Sequence, residues 1–156
     1  LRYQYQGNTL ANTNWGGAGT TYKNANTNEI YAAYTVGVVT AKVSYALSNL
    51  FGQYNFTENR SSKGSTYVDL SANFDIGNGY TFVPHVGHQK VQKVTGASYT
   101  DYALTLNKDL GKGLSASFGA VGTNANEDYW MYTTGTEGEG YFPGRTRFVA
   151  GLKYTF

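Results

Sequence analysis

The stretch Arg145-Thr146-Arg147-Phe148-Val149-Ala150-Gly151-Leu152-Lys153-Tyr154-Thr155-Phe156 alternates between two sides with hardly an error and ends on an aromatic residue. Successive side chains of an extended strand point to opposite faces. Thr146, Phe148, Ala150, Leu152, Tyr154 and Phe156 therefore share one face, and Arg145, Arg147, Val149, Gly151, Lys153 and Thr155 share the other. One face is apolar, and the other carries charge and small groups. That pattern fits the closing strand of a membrane-spanning β-barrel, with lipid outside and water or packed polar groups inside. The competing reading is an amphipathic edge strand of a soluble sandwich.

Composition supports strands over helices. Aromatic residues make up 16% of the 156 residues and charged residues only 14%, with 20 Gly against 2 Pro. Abundant Tyr, Gly, Asn and Thr is a strand-and-turn profile, and residues 1–156 have room for a single domain. The longest weakly polar stretch, Ala32 to Ala41, is broken by Thr35, Gly37 and Thr40 and is too short for a helical span, which needs roughly 18 apolar residues. Negative mean hydropathy leaves a barrel open, because strands that alternate between lipid and lumen average out to modest hydrophobicity. The absence of cysteine removes disulfides, thiolate catalysis and the usual zinc frameworks, and no cofactor is expected. A net charge of +2 without a Lys/Arg cluster offers nucleic acid no footprint. The chain starts without Met or a signal peptide, and Leu1 already lies in an alternating segment; the expectation is a start partway through a longer protein.

Applied along the chain, the period-two template predicts eight strands: 1–6, 28–36, 38–48, 66–76, 80–90, 99–108, 114–122 and 145–156. The connections between them alternate in length. Tight links fall around Gly37, at Gly77 to Gly79 and at Asp109 to Gly113, and longer ones at 7–27, 49–65, 91–98 and 123–144. Short periplasmic turns and longer extracellular loops are what an antiparallel up-and-down barrel requires, with both termini on the periplasmic side. Asn78-Gly79 and Gly111-Lys112-Gly113 have the chemistry of tight hairpins.

Parity assigns the two faces. The outward set runs Ile30, Ala32, Tyr34, Val36; Val39, Ala41, Val43, Tyr45, Leu47; Val68, Leu70, Ala72, Phe74; Tyr80, Phe82, Pro84, Val86; Tyr102, Leu104, Leu106; and Leu114, Ala116, Phe118, Ala120. It has essentially no charge. The inward set holds Arg2, Glu29, Lys42, Asp69, Asp75, Asp101, Arg145, Arg147 and Lys153 among small polar residues. One lipid-facing Arg or Lys near the midplane would cost about 2–4 kcal/mol, so this segregation favours the membrane reading. A soluble sandwich would turn the apolar set inward.

Asn28-Glu29-Ile30-Tyr31, Val39 to Tyr45, Tyr67 to Asn73, His85-Val86-Gly87-His88-Gln89, Tyr99 to Tyr102, Lys108-Asp109-Leu110 and the Lys153 to Phe156 ending resemble the TorF porin family of Gram-negative bacteria. The likeness covers nearly the whole chain in matching order. It implies an outer-membrane barrel labelled a porin, of which these residues are the carboxy-terminal portion, and it supplies no established substrate or binding residues. Leu152, Tyr154 and Phe156 resemble the carboxy-terminal signal read by the barrel-assembly machinery.

Catalysis is a weak alternative. The only histidines, His85 and His88, point to opposite faces of one predicted strand, which also argues against a shared metal ion. Inward serines are too numerous to single one out as a nucleophile partner for His85. The inward bases have a sharper reading as a positive wall favouring anions, set against internal pairing with Glu29, Asp69, Asp75 and Asp101. Thr123 to Gly144 is read as a solvated extracellular loop with an aromatic collar, in preference to one that folds into the barrel or contacts a partner or cation, and 7–27 as a mobile segment for which Trp15 and Tyr22 are candidate anchors.

The expected function is a porin-like channel in a bacterial outer membrane for passive diffusion of small polar solutes or ions, without a chemical step. Candidate lumen-lining residues are Arg2, Lys42, Asp69, Asp75, His85, Asp101, Arg145, Arg147 and Lys153. Expected partners are outer-membrane lipid, the assembly machinery and the solutes, with homo-oligomers left open. The alternative is a structural or adhesive barrel with a plugged interior whose extracellular loops make the contacts.

Overall fold

The computed structural model describes residues 1–6, 23–133 and 140–156. Trp15, Tyr22, Glu137 and Glu139 lie outside the described residues. Thirteen strands follow in chain order: β1 Arg2–Tyr3, β2 Thr27–Val36, β3 Val39–Ala46, β4 Tyr54–Asn55, β5 Arg60–Ser61, β6 Thr66–Ala72, β7 Phe74–Gly77, β8 Tyr80–Lys90, β9 Tyr99–Gly111, β10 Leu114–Thr123, β11 Tyr132–Thr133, β12 Gly140–Tyr141 and β13 Arg147–Tyr154. Among the described residues one short α-helix, α1, spans Glu127–Trp130, and a 3-10 turn covers Leu50–Gly52. Among the described residues no helix is long and apolar enough to cross a membrane.

The main sheet is an antiparallel meander in the order β1-β2-β3-β6-β8-β9-β10-β13, with β7 also paired to β8. Each predicted strand is present. β6 and β7 are one predicted strand interrupted at Asn73, whose N–H donates instead to the Val38 carbonyl at 2.8 Å. Two hairpin turns explain the register. Gly77 pairs with Tyr80 across Asn78-Gly79, and Gly111 pairs with Leu114 across Lys112-Gly113. The central residues have φ of +52° and +74° in the first turn and +52° and +81° in the second, the doubly positive pair that matches strand twist.

The sheet does not close. Among the described residues β1 pairs with β2 only at Arg2↔Asn28 and Tyr3↔Thr27, and no strand lies along the far edge of β13. The expected barrel is therefore an open sheet over the described residues, because a two-residue β1 is too short to bridge the ten-residue β2 to β13. The sheet is nevertheless curled. Tyr3 of β1 and Arg147 of β13, at opposite ends of the strand order, line the same concavity.

Most of the outward-facing residues assigned by parity are accessible: Leu70, Leu104 and Phe118 are 47%, 54% and 57% exposed, whereas Ala72 is buried. The face is not wholly uncharged. Lys108 is in register with outward Tyr80, but its ammonium lies 4.1 Å from the Tyr80 ring and donates to the Asn78 carbonyl, so the charge is drawn back to the turn.

The buried core lies at the long-loop end of the sheet. Ala46, Leu50, Val91, Val94 and Ala97 form it, with Tyr129 and Trp130 packed against it. The loop 123–144 is therefore not simply solvated. Asn126 caps α1 by accepting the Tyr129 N–H at 3.0 Å, the Tyr129 hydroxyl donates to Gln53 Oε1, and Phe142 is buried. Alternation in strands cannot reveal this cap, since its contacts join loops distant in sequence. Leu50→Ala is expected to cost about 2–4 kcal/mol. Hydrogen exchange should quicken in 49–65 and 91–98 while β9 and β10 stay protected; unchanged loop exchange would show that this core does not hold the cap.

Candidate functional site

Register alone places Asp69 of β6, Gly87 of β8 and Asp101 of β9 in one row across three strands. Two carboxylates flank a residue with no side chain. The vacant position is filled from neighbouring rows by the Tyr67 phenol and the His85 imidazole. A Cβ at position 87 would lie 2.0 Å from the Tyr67 hydroxyl, so only glycine admits the ring there.

The resulting network is internally bonded. His85 Nε2 lies 2.6 Å from Asp69 Oδ2, and since a carboxylate can only accept, Nε2 carries the proton. The Tyr67 hydroxyl donates to Asp101, 3.1 Å from both carboxylate oxygens, and lies 3.4 Å from His85 Nε2. His85 Nδ1 stands 3.6 Å from Asp101 Oδ1. The side chains of His85, Asp69 and Asp101 are 22%, 21% and 27% exposed, partly withdrawn from water.

This network lies on the wall of a concavity of about 680 Å³ reached by side chains from both ends of the meander. Lys42, His85, Asp101, Arg145 and Arg147 line it. Asp69 joins them through His85.

Other candidates are placed elsewhere. Arg2 is a correction: it pairs with Asn28, which shares the parity of Ile30, and Tyr3 turns inward against Phe51 at 5.1 Å. The two-residue β1 adopts the register dictated by Thr27, not that of a longer strand. Asp75 accepts the Gly77 N–H at 2.9 Å, fastening the turn. Lys153 faces Ser115 near the short-turn end, away from the concavity lining. Leu152, Tyr154 and Phe156 are on the outward face and highly exposed.

Among the described residues no salt bridge joins the inward bases to Glu29, Asp69, Asp75 or Asp101, although Lys42 stands opposite Asp69 in register. Arg145 binds Glu127 of α1 at 3.0 Å, Arg147 lies 5.1 Å from the Tyr141 ring, and Lys42 lies 4.7 Å from the Tyr31 ring. Asp69 and Asp101 converge on β8, while Arg145 and Arg147 reach the 123–144 loop. Sequence reasoning passed over Tyr67 because it is uncharged. Its signal was Gly87, a strand glycine at inward parity between His85 and Gln89.

Gly87→Ala should expel the Tyr67 hydroxyl from Asp101 and cost about 1–3 kcal/mol by overpacking. Urea titration of the refolded protein and the His85 ring resonances check it; an unshifted midpoint with unchanged resonances would refute the gap-filling role.

No curated protein and no solved structure matches the chain. A family model described as a bacterial protein of unknown function, Gcw_chp, matches residues 2–156, and that description mentions neither TorF nor porins. With a match of this extent, the chain belongs to the Gcw_chp family.

Proposed function

We propose that the chain forms wall and mouth of an outer-membrane β-barrel through which small polar solutes or ions diffuse passively, with no chemical step. The carrying observation is the inversion of its faces: Leu70, Leu104 and Phe118 are about half exposed, while the Asp69 and Asp101 side chains are roughly three-quarters enclosed. A soluble domain does the opposite. On β9 the outward apolar residues lie between Thr100, bonded to His88 at 2.9 Å, and Lys108. Eight residue steps separate the two, roughly 27 Å along a strand. Tilted by about 40°, that spans about 20 Å, close to the band of a membrane barrel. The resemblance to TorF porins points the same way. In this reading the long-loop end is extracellular, both termini are periplasmic, and Leu152, Tyr154 and Phe156 are presented to the assembly machinery.

Hydrocarbon does not tolerate an open sheet edge, so the reading requires further strands along β2 and β13. A second reading, a structural or adhesive barrel, is favoured by the folded cap with Trp130 and Phe142 on the concavity wall. Solute uptake into liposomes separates the two. Flux through well-folded protein supports the channel, and its absence supports the plugged barrel.

Phe118→Arg should destabilise the membrane-inserted form by about 2–4 kcal/mol. The same change on a water-facing surface would fall within about 0.5 kcal/mol, which would sink the bilayer assignment. Lys42→Glu with Arg147→Glu should shift reversal potentials toward cations in planar bilayers; unchanged selectivity would remove both from the conduction path.

A further inference from the structure

A second concavity, of about 500 Å³, lies between the β4–β5 hairpin and the segment joining β8 to β9. Arg60, Lys90 and Lys93 line it, against a single carboxylate, Glu58, which Arg60 holds at 3.4 Å. Lys90 and Lys93 have no ion pair among the described residues. These cations come from separate parts of the chain, and their excess over Glu58 equals the formal net charge of the whole protein, +2.

The support beneath is rigid. Val91 and Val94 belong to the buried core, so the backbone carrying Lys90 and Lys93 is anchored on its other side. Asn55 ties the two walls together: its Nδ2 donates to the Lys93 carbonyl at 2.8 Å, and its Oδ1 accepts the Glu58 N–H at 3.0 Å. Ser98 adds a hydroxyl to the lining. Lys90 shares the outward parity of Val86 and His88, which puts the concavity at the rim of the apolar face.

We propose that this rim concavity binds the phosphomonoester head group of a lipid. Such a group carries about −1.5 to −2 charges at neutral pH and three acceptor oxygens, matching the cationic excess and the donors. The phosphate chemistry stands on the cluster itself. The choice of a lipid as its source rests on the outer-membrane reading, because acyl chains below the head group would lie against Val86 and its outward neighbours.

The full chain, refolded in detergent, is offered phosphatidylcholine and phosphatidic acid, and retained lipids are counted by native mass spectrometry. Phosphatidic acid should be retained at least about tenfold over phosphatidylcholine, and Arg60→Gln with Lys90→Gln and Lys93→Gln should abolish the preference. Glu58→Gln should strengthen it, a gain that misfolding cannot mimic. Equal retention by wild type and triple variant overturns the proposal, as does binding of inorganic phosphate without retention of phosphatidic acid. Flotation with phosphatidylcholine vesicles reads insertion separately. A chain that floats without preferring phosphatidic acid loses this site alone, whereas one that prefers it without floating loses the barrel and keeps the phosphate chemistry.

Discussion

The period of two in an extended backbone is the constraint on which the molecule depends. Each strand must give its apolar set to one side and its charged set to the other, and a one-residue slip would exchange them. Here register keeps the sets apart across the long strands of the meander: Ala41 faces Leu70, Leu70 faces Val86, Pro84 faces Leu104, and Phe118 faces both Leu106 and Ala150. At these outer positions cross-strand neighbours are thus apolar with apolar. Phe118 and Phe148 stack with centroids 6.0 Å apart in a surface that water would penalise.

The inner side uses the same alternation to build a polar arrangement. A row of Asp, Gly and Asp would, with any larger central residue, be three side chains standing in parallel. Glycine removes the middle one, and the space draws in a phenol and an imidazole that supply donors to both carboxylates. Partly enclosed carboxylates need such donors, since leaving one unsatisfied costs more than the bond returns. Asp69 and Asp101 are thereby engaged within the sheet, and Arg145 and Arg147 turn to the cap, where Glu127 and Tyr141 receive them.

The strands, the tight turns and most of the face assignments were legible because each depends on a few adjacent residues. Asn78-Gly79 specifies its hairpin locally, and Leu104 and Asp101 reveal their sides by parity. Closure was not legible. It depends on how far β1 runs beside β2, and the alternation in 1–6 says nothing of the length of chain that pairs. Arg2 was misplaced for the same reason, since parity assigns relative faces within a strand and only the partner fixes which is inward. Lys108 escaped notice because a long side chain can begin on the apolar face and end at the turn. Loop packing was hidden altogether: Leu50, Val94 and Trp130 show no periodicity together and meet only once the sheet has set the loops side by side.

That meeting links the two ends of the argument. Trp130 packs on the buried loop core and also lines the concavity, and Arg145, at the entry to β13, is bound to Glu127 of the same helical turn. That small aromatic and aliphatic core therefore shapes the long-loop end of the concavity together with the sheet. A sheet held only by its ladder could flex at an open edge, whereas loops cross-braced by Tyr129 to Gln53 and Asn55 to Lys93 tie three successive hairpins together at one end. Rigidity concentrated there leaves the far end, with its short turns and exposed β13, held chiefly by the sheet ladder.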